Sequence, residues 1–184
     1  MNDLQRIQFL AQLQAGTSEH GNAKFSTEAF IKGVSKLVPC LTVQVLCLRS
    51  QNAKEAGAAI QMLAEALGDG FESAAFRLFT KDALVKLTHV GKHILAEIGT
   101  VTIIGVLRNV CSDKVIQRLA KEMQESRSAY VQKIGGMFLL DILCTYPRDV
   151  IGSLSAILKP FAKHCVSSPN ADCRAFGRKA LLVW

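Results

Sequence analysis

Long stretches of apolar, helix-favouring residues alternate along the chain with short polar segments. Proline is scarce, with four in 184 residues, which favours long helices. Polar or glycine-rich segments such as AGTSEHGN (15–22) and GDG (68–70) mark helix ends. Ser112 or Asp113 can cap a following helix, and Pro147 and Pro169 suit first helical positions. The pattern predicts an all-α chain without strands, with nine helices at 4–14, 26–40, 50–67, 71–87, 92–108, 113–123, 127–144, 148–165 and 170–184.

A short motif recurs among these helices at intervals of about 40 residues. Each copy ends in glycine and is followed by a strongly apolar turn. The four copies are AKEAG (53–57), LAEIG (95–99), VQKIG (131–135) and CRAFG (173–177). Glycine costs about 1 kcal/mol inside a helix, so four at one register indicate places where helix backbones approach closely.

This period predicts a helical solenoid of HEAT type, in which each repeat is a pair of antiparallel helices. The predicted helices supply about 4.5 such pairs, with one unpaired helix at the start. We expect a single repeat domain over residues 1–184.

The formal net charge is +7, which favours an acidic partner. In a solenoid, the loops within the helix pairs lie along one edge. These loops are LRSQNAK (48–54), THVGKH (88–93), ESRSAYVQK (125–133) and SSPNADCR (167–174). Each contains or adjoins cations and few acids. The pattern predicts a row of positive charge, formed by Arg49, Lys54, Lys92, Arg127, Lys133, Arg174 and Arg178.

Three segments of the chain, each containing one or more of these cations, resemble parts of the TOG domains of the CLASP family of microtubule regulators. LCLRSQNAKEAGAAIQMLAEALGDGFE (46–72) is similar to the second repeat of those domains. SRSAYVQK (126–133) is similar to their fourth-repeat loop, and NADCRAFGRKALLVW (170–184) to their fifth-repeat helix. The resemblance covers most of the chain, with the segments in the same order.

The resemblance implies a TOG-like paddle of HEAT repeats that binds the αβ-tubulin dimer or the microtubule lattice, and possible contact with other cytoskeletal proteins. It implies a cytoplasmic, microtubule-associated location. The positions matching Arg49, Lys92, Arg127 and Arg174 would lie on the tubulin-facing edge, with Lys133 and Arg178 as second choices. Such domains usually carry an aromatic residue, often Trp, in their first loop. Here the only Trp is Trp184, and the first helix and last repeat of a full TOG domain have no counterpart. This favours lattice binding over free tubulin.

The alternative is a HEAT scaffold that binds another protein through a groove and does not bind tubulin. Nucleic-acid binding is disfavoured because the basic loops lack interleaved aromatic residues for base stacking. No apolar run is long enough to cross a membrane.

Catalytic and metal-binding signatures are also absent from the sequence. We find no phosphate-binding glycine loop, HExxH or GxSxG motif, so we expect neither an enzyme nor a cofactor. His89 and His93 have helical metal-ligand spacing, but no nearby ligand completes a site. The six cysteines form no CxxC pair and mostly lie in apolar stretches, which predicts reduced, buried thiols.

Overall fold

The computed structural model describes residues 28–80, 82–88 and 91–184. Most of these residues are helical, and no strand occurs among them. They belong to two compact units, of which the first ends at Val110 and the second begins at Cys111. The predicted helix at 4–14 and loop at 15–22 lie outside the described residues. The single domain over 1–184 stays a prediction.

The first unit contains two helix pairs. Its elements are α1 (Glu28–Val45), α2 (Ser50–Leu67), a 3-10 helix (Gly68–Phe71), α3 (Glu72–Leu78), α4 (Leu84–Thr88) and α5 (His93–Leu107). Helix α1 packs on α2, α4 packs on α5, and the two second helices, α2 and α5, pack on each other. Buried residues at helical spacing, such as Val34, Val38, Leu41 and Val45 on α1, form the core.

The second unit contains two further pairs. Its elements are α6 (Asp113–Glu125), α7 (Ala129–Thr145), α8 (Arg148–Ser153), α9 (Ser155–Ser167) and α10 (Ala171–Val183). Helix α6 packs on α7, α9 packs on α10, and the second helices α7 and α10 pack on each other. Ser112 caps α6 by accepting a hydrogen bond from Val115 N, as one of the two predicted caps.

The repeated glycines lie where neighbouring helices are in closest contact. All four are buried, at Gly57, Gly99, Gly135 and Gly177. A Cβ on Gly57 would lie 2.5 Å from Oγ1 of Thr102 on α5. A Cβ on Gly177 would lie 2.9 Å from the backbone nitrogen of Val166 on α9. The packing role inferred from the sequence is therefore confirmed.

Three predicted helices have wrong boundaries because tertiary burial overrides local sequence signals. The predicted helix at 71–87 breaks at Phe79, which has φ −86° and ψ 59° and a fully buried side chain. The predicted helix at 148–165 breaks at Leu154, another buried residue. Helix α1, which contains Pro39 as predicted, does not end at residue 40 but continues to Val45, because its last turns bury Leu41 and Val45.

Candidate binding edges

The N-terminal ends of α2 and α5 lie side by side and form what we call the first edge. A cleft of about 430 Å³ runs between the two helices. Its walls include residues from the first two turns of both helices, namely Ser50, Gln51 and Lys54 of α2 and Ile94, Glu97 and Ile98 of α5. The loops preceding these two helices therefore lie at the same end of the first unit, as the repeat pattern predicted for neighbouring pairs.

Three predicted cations lie on the first edge. Arg49 is the N-cap residue of α2 and Lys92 is the N-cap residue of α5. Lys54 follows in the second turn of α2, and all three side chains are exposed. Within the described structure, neither N-cap side chain accepts a hydrogen bond from its helix, since lysine and arginine offer only donors.

Helix α5 consequently begins with backbone amides that no side-chain cap satisfies. The first amides to bond back into the helix are those of Leu95 and Ala96, which donate to Lys92 O at 3.0 and 3.2 Å. The amides of His93 and Ile94 precede them and have no intrahelical acceptor. These donors, the positive end of the helix dipole and the Lys92 ammonium all favour an external anion.

Replacing Lys92 with aspartate is expected to stabilise the protein while weakening its binding to an acidic partner. The carboxylate would cap α5 and complement its dipole, which contributes about 1 kcal/mol and raises Tm by roughly 2–4 °C. Thermal unfolding measures the stability, and a binding assay with the acidic partner measures the affinity. Lys92→Ala is the control, because it removes the charge without supplying a cap. A Lys92→Asp variant that melts lower, or binds as tightly as wild type, would contradict this interpretation.

The N-terminal ends of α7 and α10 form the second edge, in the second unit. Two contacts join them directly. Lys133 Nζ lies 2.9 Å from Asp172 Oδ2, and the Ser168 hydroxyl donates to Gln132 Oε1 at 2.9 Å. Asn170 caps α10 by accepting a hydrogen bond from Cys173 N at 2.8 Å. The loops preceding α7 and α10 therefore lie together.

The four predicted cations of the second edge differ in their surroundings. Arg127 and Arg178 are exposed, and neither forms an ion pair with another described residue. Arg174 is half-buried, and its Nη1 donates to the carbonyl oxygens of Ser168 and Pro169, both at 2.8 Å. From its place near the start of α10, the Arg174 side chain therefore stabilises the preceding loop. Lys133 is exposed but paired with Asp172.

The ion pair between Lys133 and Asp172 changes the charge that this edge presents. The Asp172 carboxylate accepts a hydrogen bond from Lys133 and attracts its charge, and both effects raise the pKa of Lys133. The ammonium is thus held charged but partly neutralised by its neighbour. The sequence does contain a signal for Asp172. It lies two positions after the N-cap of α10, in the first helical turn, where a carboxylate is favoured by the helix dipole.

Exposed apolar side chains beside the predicted cations were missed by the sequence reasoning. Leu48 is 71% exposed next to Arg49, and Ile94 is 61% exposed two residues after Lys92. Tyr130 is 40% exposed in the first turn of α7. An apolar side chain surrounded by cations is typical of protein interfaces, where it supplies the contact area that charges alone do not.

The remaining candidate residues do not form a chemical site in the described part of the chain. His93 lies 4.0 Å from Glu97 on the exposed face of α5, and His89 lies outside the described residues. No group of three potential metal ligands occurs among the residues described. None of the described helices has the length and apolar character needed to span a bilayer.

None of the six cysteines is in a disulfide, and they are not all buried. Cys40, Cys111 and Cys144 are exposed, so the expectation of mostly buried thiols is wrong for these three. Cys165 and Cys173 are buried. Burial raises the pKa of the Cys165 thiol, and the neighbouring Cys173 raises it further, so this thiol is held in its protonated form.

The fold and the glycine register define an all-α helical-repeat protein of HEAT-like architecture. A family model described as CLASP N terminal matches residues 1–182, and the chain therefore belongs to the CLASP N-terminal family. This is a non-enzymatic helical-repeat family whose members are associated with the microtubule cytoskeleton. No curated protein matches the chain.

Proposed function

We propose that this chain is a microtubule- or tubulin-binding module that uses the basic loops of its helix pairs. The single observation that carries the proposal is the match to the CLASP N-terminal family over residues 1–182. Family membership suggests a domain of a microtubule-associated regulator, acting in the cytoplasm on the microtubule cytoskeleton. The partner is the acidic surface of αβ-tubulin, in the dimer or in the lattice.

The two edges support this proposal by their charge and by the direction of their helices. Four exposed cations, which we call the edge cations, lie on them, namely Lys54, Lys92, Arg127 and Arg178. Arg178 lies past the middle of α10, and the other three precede second helices or lie within their first two turns, where the helix dipole also presents positive potential. A cation there does not help the helix, so its placement suits an external acidic group. Complementary charge of this kind steers association and selects partners.

We assign different roles to the three remaining predicted cations, Arg49, Lys133 and Arg174. Arg49 adds charge at the start of α2 and contacts the partner beside Leu48. Arg174 holds the loop in shape, and Lys133 is masked by Asp172. We therefore assign direct contact mainly to the edge cations and Arg49.

The first experiment is co-sedimentation of the wild-type chain with microtubules, run beside gel filtration with free tubulin dimers. Binding should weaken steeply with added salt, because exposed charges are screened within about 10 Å at 0.1 M ionic strength. Failure to bind either form would reject the proposal. Lattice binding without dimer binding would agree with the preference for the lattice that the resemblance implies.

Replacing Asp172 with asparagine is expected to strengthen binding by about three- to tenfold. The change removes an acidic group from the second edge and frees Lys133 for the partner. It also lets the pKa of Lys133 return towards its ordinary value. Microtubule co-sedimentation at low ionic strength measures the gain. Asp149→Asn is the matched control, since Asp149 is an exposed acid in the first turn of α8. Equal or weaker binding by Asp172→Asn would show that Lys133 does not meet the partner.

The cleft of the first edge favours one alternative, a scaffold that binds a protein other than tubulin. Ile94 and Val101 are 61% and 50% exposed along it, so a short apolar segment could dock there. If the chain is such a scaffold, Val101→Asp would abolish partner binding and reversing the edge cations would not.

A further inference from the structure

One glutamine connects the two loops of the second edge through both ends of its amide group. Gln132 Nε2 donates to the carbonyl oxygen of Ser126 at 3.2 Å, in the loop between α6 and α7. Gln132 Oε1 accepts from the Ser168 hydroxyl at 2.9 Å, in the loop between α9 and α10. The two loops are distant in sequence, and the glutamine is their shared partner.

Each of these loops also has an internal hydrogen bond to a serine hydroxyl. Ser128 N donates to Ser126 Oγ at 3.2 Å, and Asn170 N donates to Ser168 Oγ at 3.1 Å. Ser168 is only 3% exposed, so its hydroxyl needs partners inside the protein. Removing that hydroxyl would leave Asn170 N and Gln132 Oε1 without their partner and would free the glutamine to move.

We infer that Gln132 is a positioning residue that makes the two loops of the second edge order as one binding element. The effect on binding rests on the proposed function. If the two loops are ordered, Arg127 and the turn held by Arg174 are already in place when the partner binds. A binding surface that is ordered in advance avoids the loss of loop and side-chain freedom on association. Gln132 thus acts through the loops and does not itself contact tubulin.

The coupling is tested without any ligand by amide hydrogen exchange in the intact chain. Ser168→Ala alters the α9–α10 loop only. We expect it to speed exchange of the Ser128 amide, in the other loop, by roughly three- to tenfold, because local opening governs exchange. Gln132→Met, which keeps the side-chain length and removes both hydrogen bonds, should have the same effect. Gln117→Met, at an exposed position of α6, is the control and should leave both loops unchanged.

The expected outcome is therefore a change in both loops from a substitution in one. If Ser168→Ala speeds exchange in its own loop and leaves the Ser128 amide unchanged, the inference is wrong. The effects of Ser168→Ala and Gln132→Met on the exchange rate should also be non-additive in the double variant, because both substitutions break the same hydrogen-bond network.

The functional consequence is measured by microtubule co-sedimentation of Gln132→Met. All charges are retained, so we expect binding to weaken by about three- to tenfold with an unchanged dependence on salt. Unchanged affinity would overturn the positioning role. If wild type fails to bind microtubules, the proposed function fails, while the exchange experiment still decides whether Gln132 couples the loops.

Discussion

Replacing Gly177 with alanine is expected to destabilise the protein by about 2 kcal/mol and to lower Tm by roughly 4–8 °C. The added Cβ would lie 2.9 Å from the nitrogen of Val166 and 3.1 Å from the carbonyl carbon of Cys165. Both are backbone atoms of α9, so relief requires the two helices to separate. The resulting loss of packing outweighs the gain of about 1 kcal/mol that alanine normally brings to a helix. Thermal unfolding followed by circular dichroism measures the change.

Gly152→Ala is the matched control for this prediction. Gly152 is exposed near the end of α8, and a Cβ there would meet nothing within 4 Å. The same substitution should therefore raise stability, by about 0.5–1 kcal/mol. A Gly177→Ala variant as stable as wild type would mean that α9 and α10 are not in backbone contact at this register.

Much of this fold could be predicted from the sequence because the repeat leaves a trace in small residues. A helix crossing that admits no side chain must place glycine at the same register in each pair, and Gly57 and Gly177 do so. The breaks at Phe79 and Leu154 could not be predicted, because each depends on a buried side chain that local propensity does not reveal. The extension of α1 from residue 40 to Val45 has the same cause, since its last turns are held in the helix by burial of Leu41 and Val45.

The candidate edges could be predicted in position but not in detail. Loop cations such as Arg127 and Lys133 can be read directly from the sequence, and so can the side of the helix pair on which they lie. Their partners cannot, because Asp172 approaches Lys133 only after α7 and α10 have packed. The same holds for Gln132 and Ser168. Sequence pattern therefore identifies the charges, and packing decides which of them are available to a partner.

Reversing all four edge cations to glutamate is expected to weaken microtubule binding on the order of several hundredfold. Each exposed charge contributes roughly 1 kcal/mol when its partner is acidic, and four such losses combine to that factor. Because the side chains are exposed and none of the four forms a side-chain capping hydrogen bond in the described structure, the variant should remain folded. Circular dichroism checks the fold, and co-sedimentation at several salt concentrations measures the affinity. The substitutions are Lys54→Glu, Lys92→Glu, Arg127→Glu and Arg178→Glu.

A second variant separates the position of the charges from the net charge. It carries four reversals at exposed cations on α1, α3, α6 and α9, outside the loops of the two edges. Each variant reverses four charges and takes the formal net charge from +7 to −1. The control substitutions are Lys36→Glu, Arg77→Glu, Lys121→Glu and Lys159→Glu.

The ratio of microtubule affinities between these two variants is the most direct measurement of whether the loop edges bind tubulin. We expect the control variant to lose less than about tenfold, since long-range attraction is screened by salt, while the edge variant loses nearly all binding. Equal losses would mean that net charge alone drives association. Undiminished binding by the edge variant would assign the interaction to another surface.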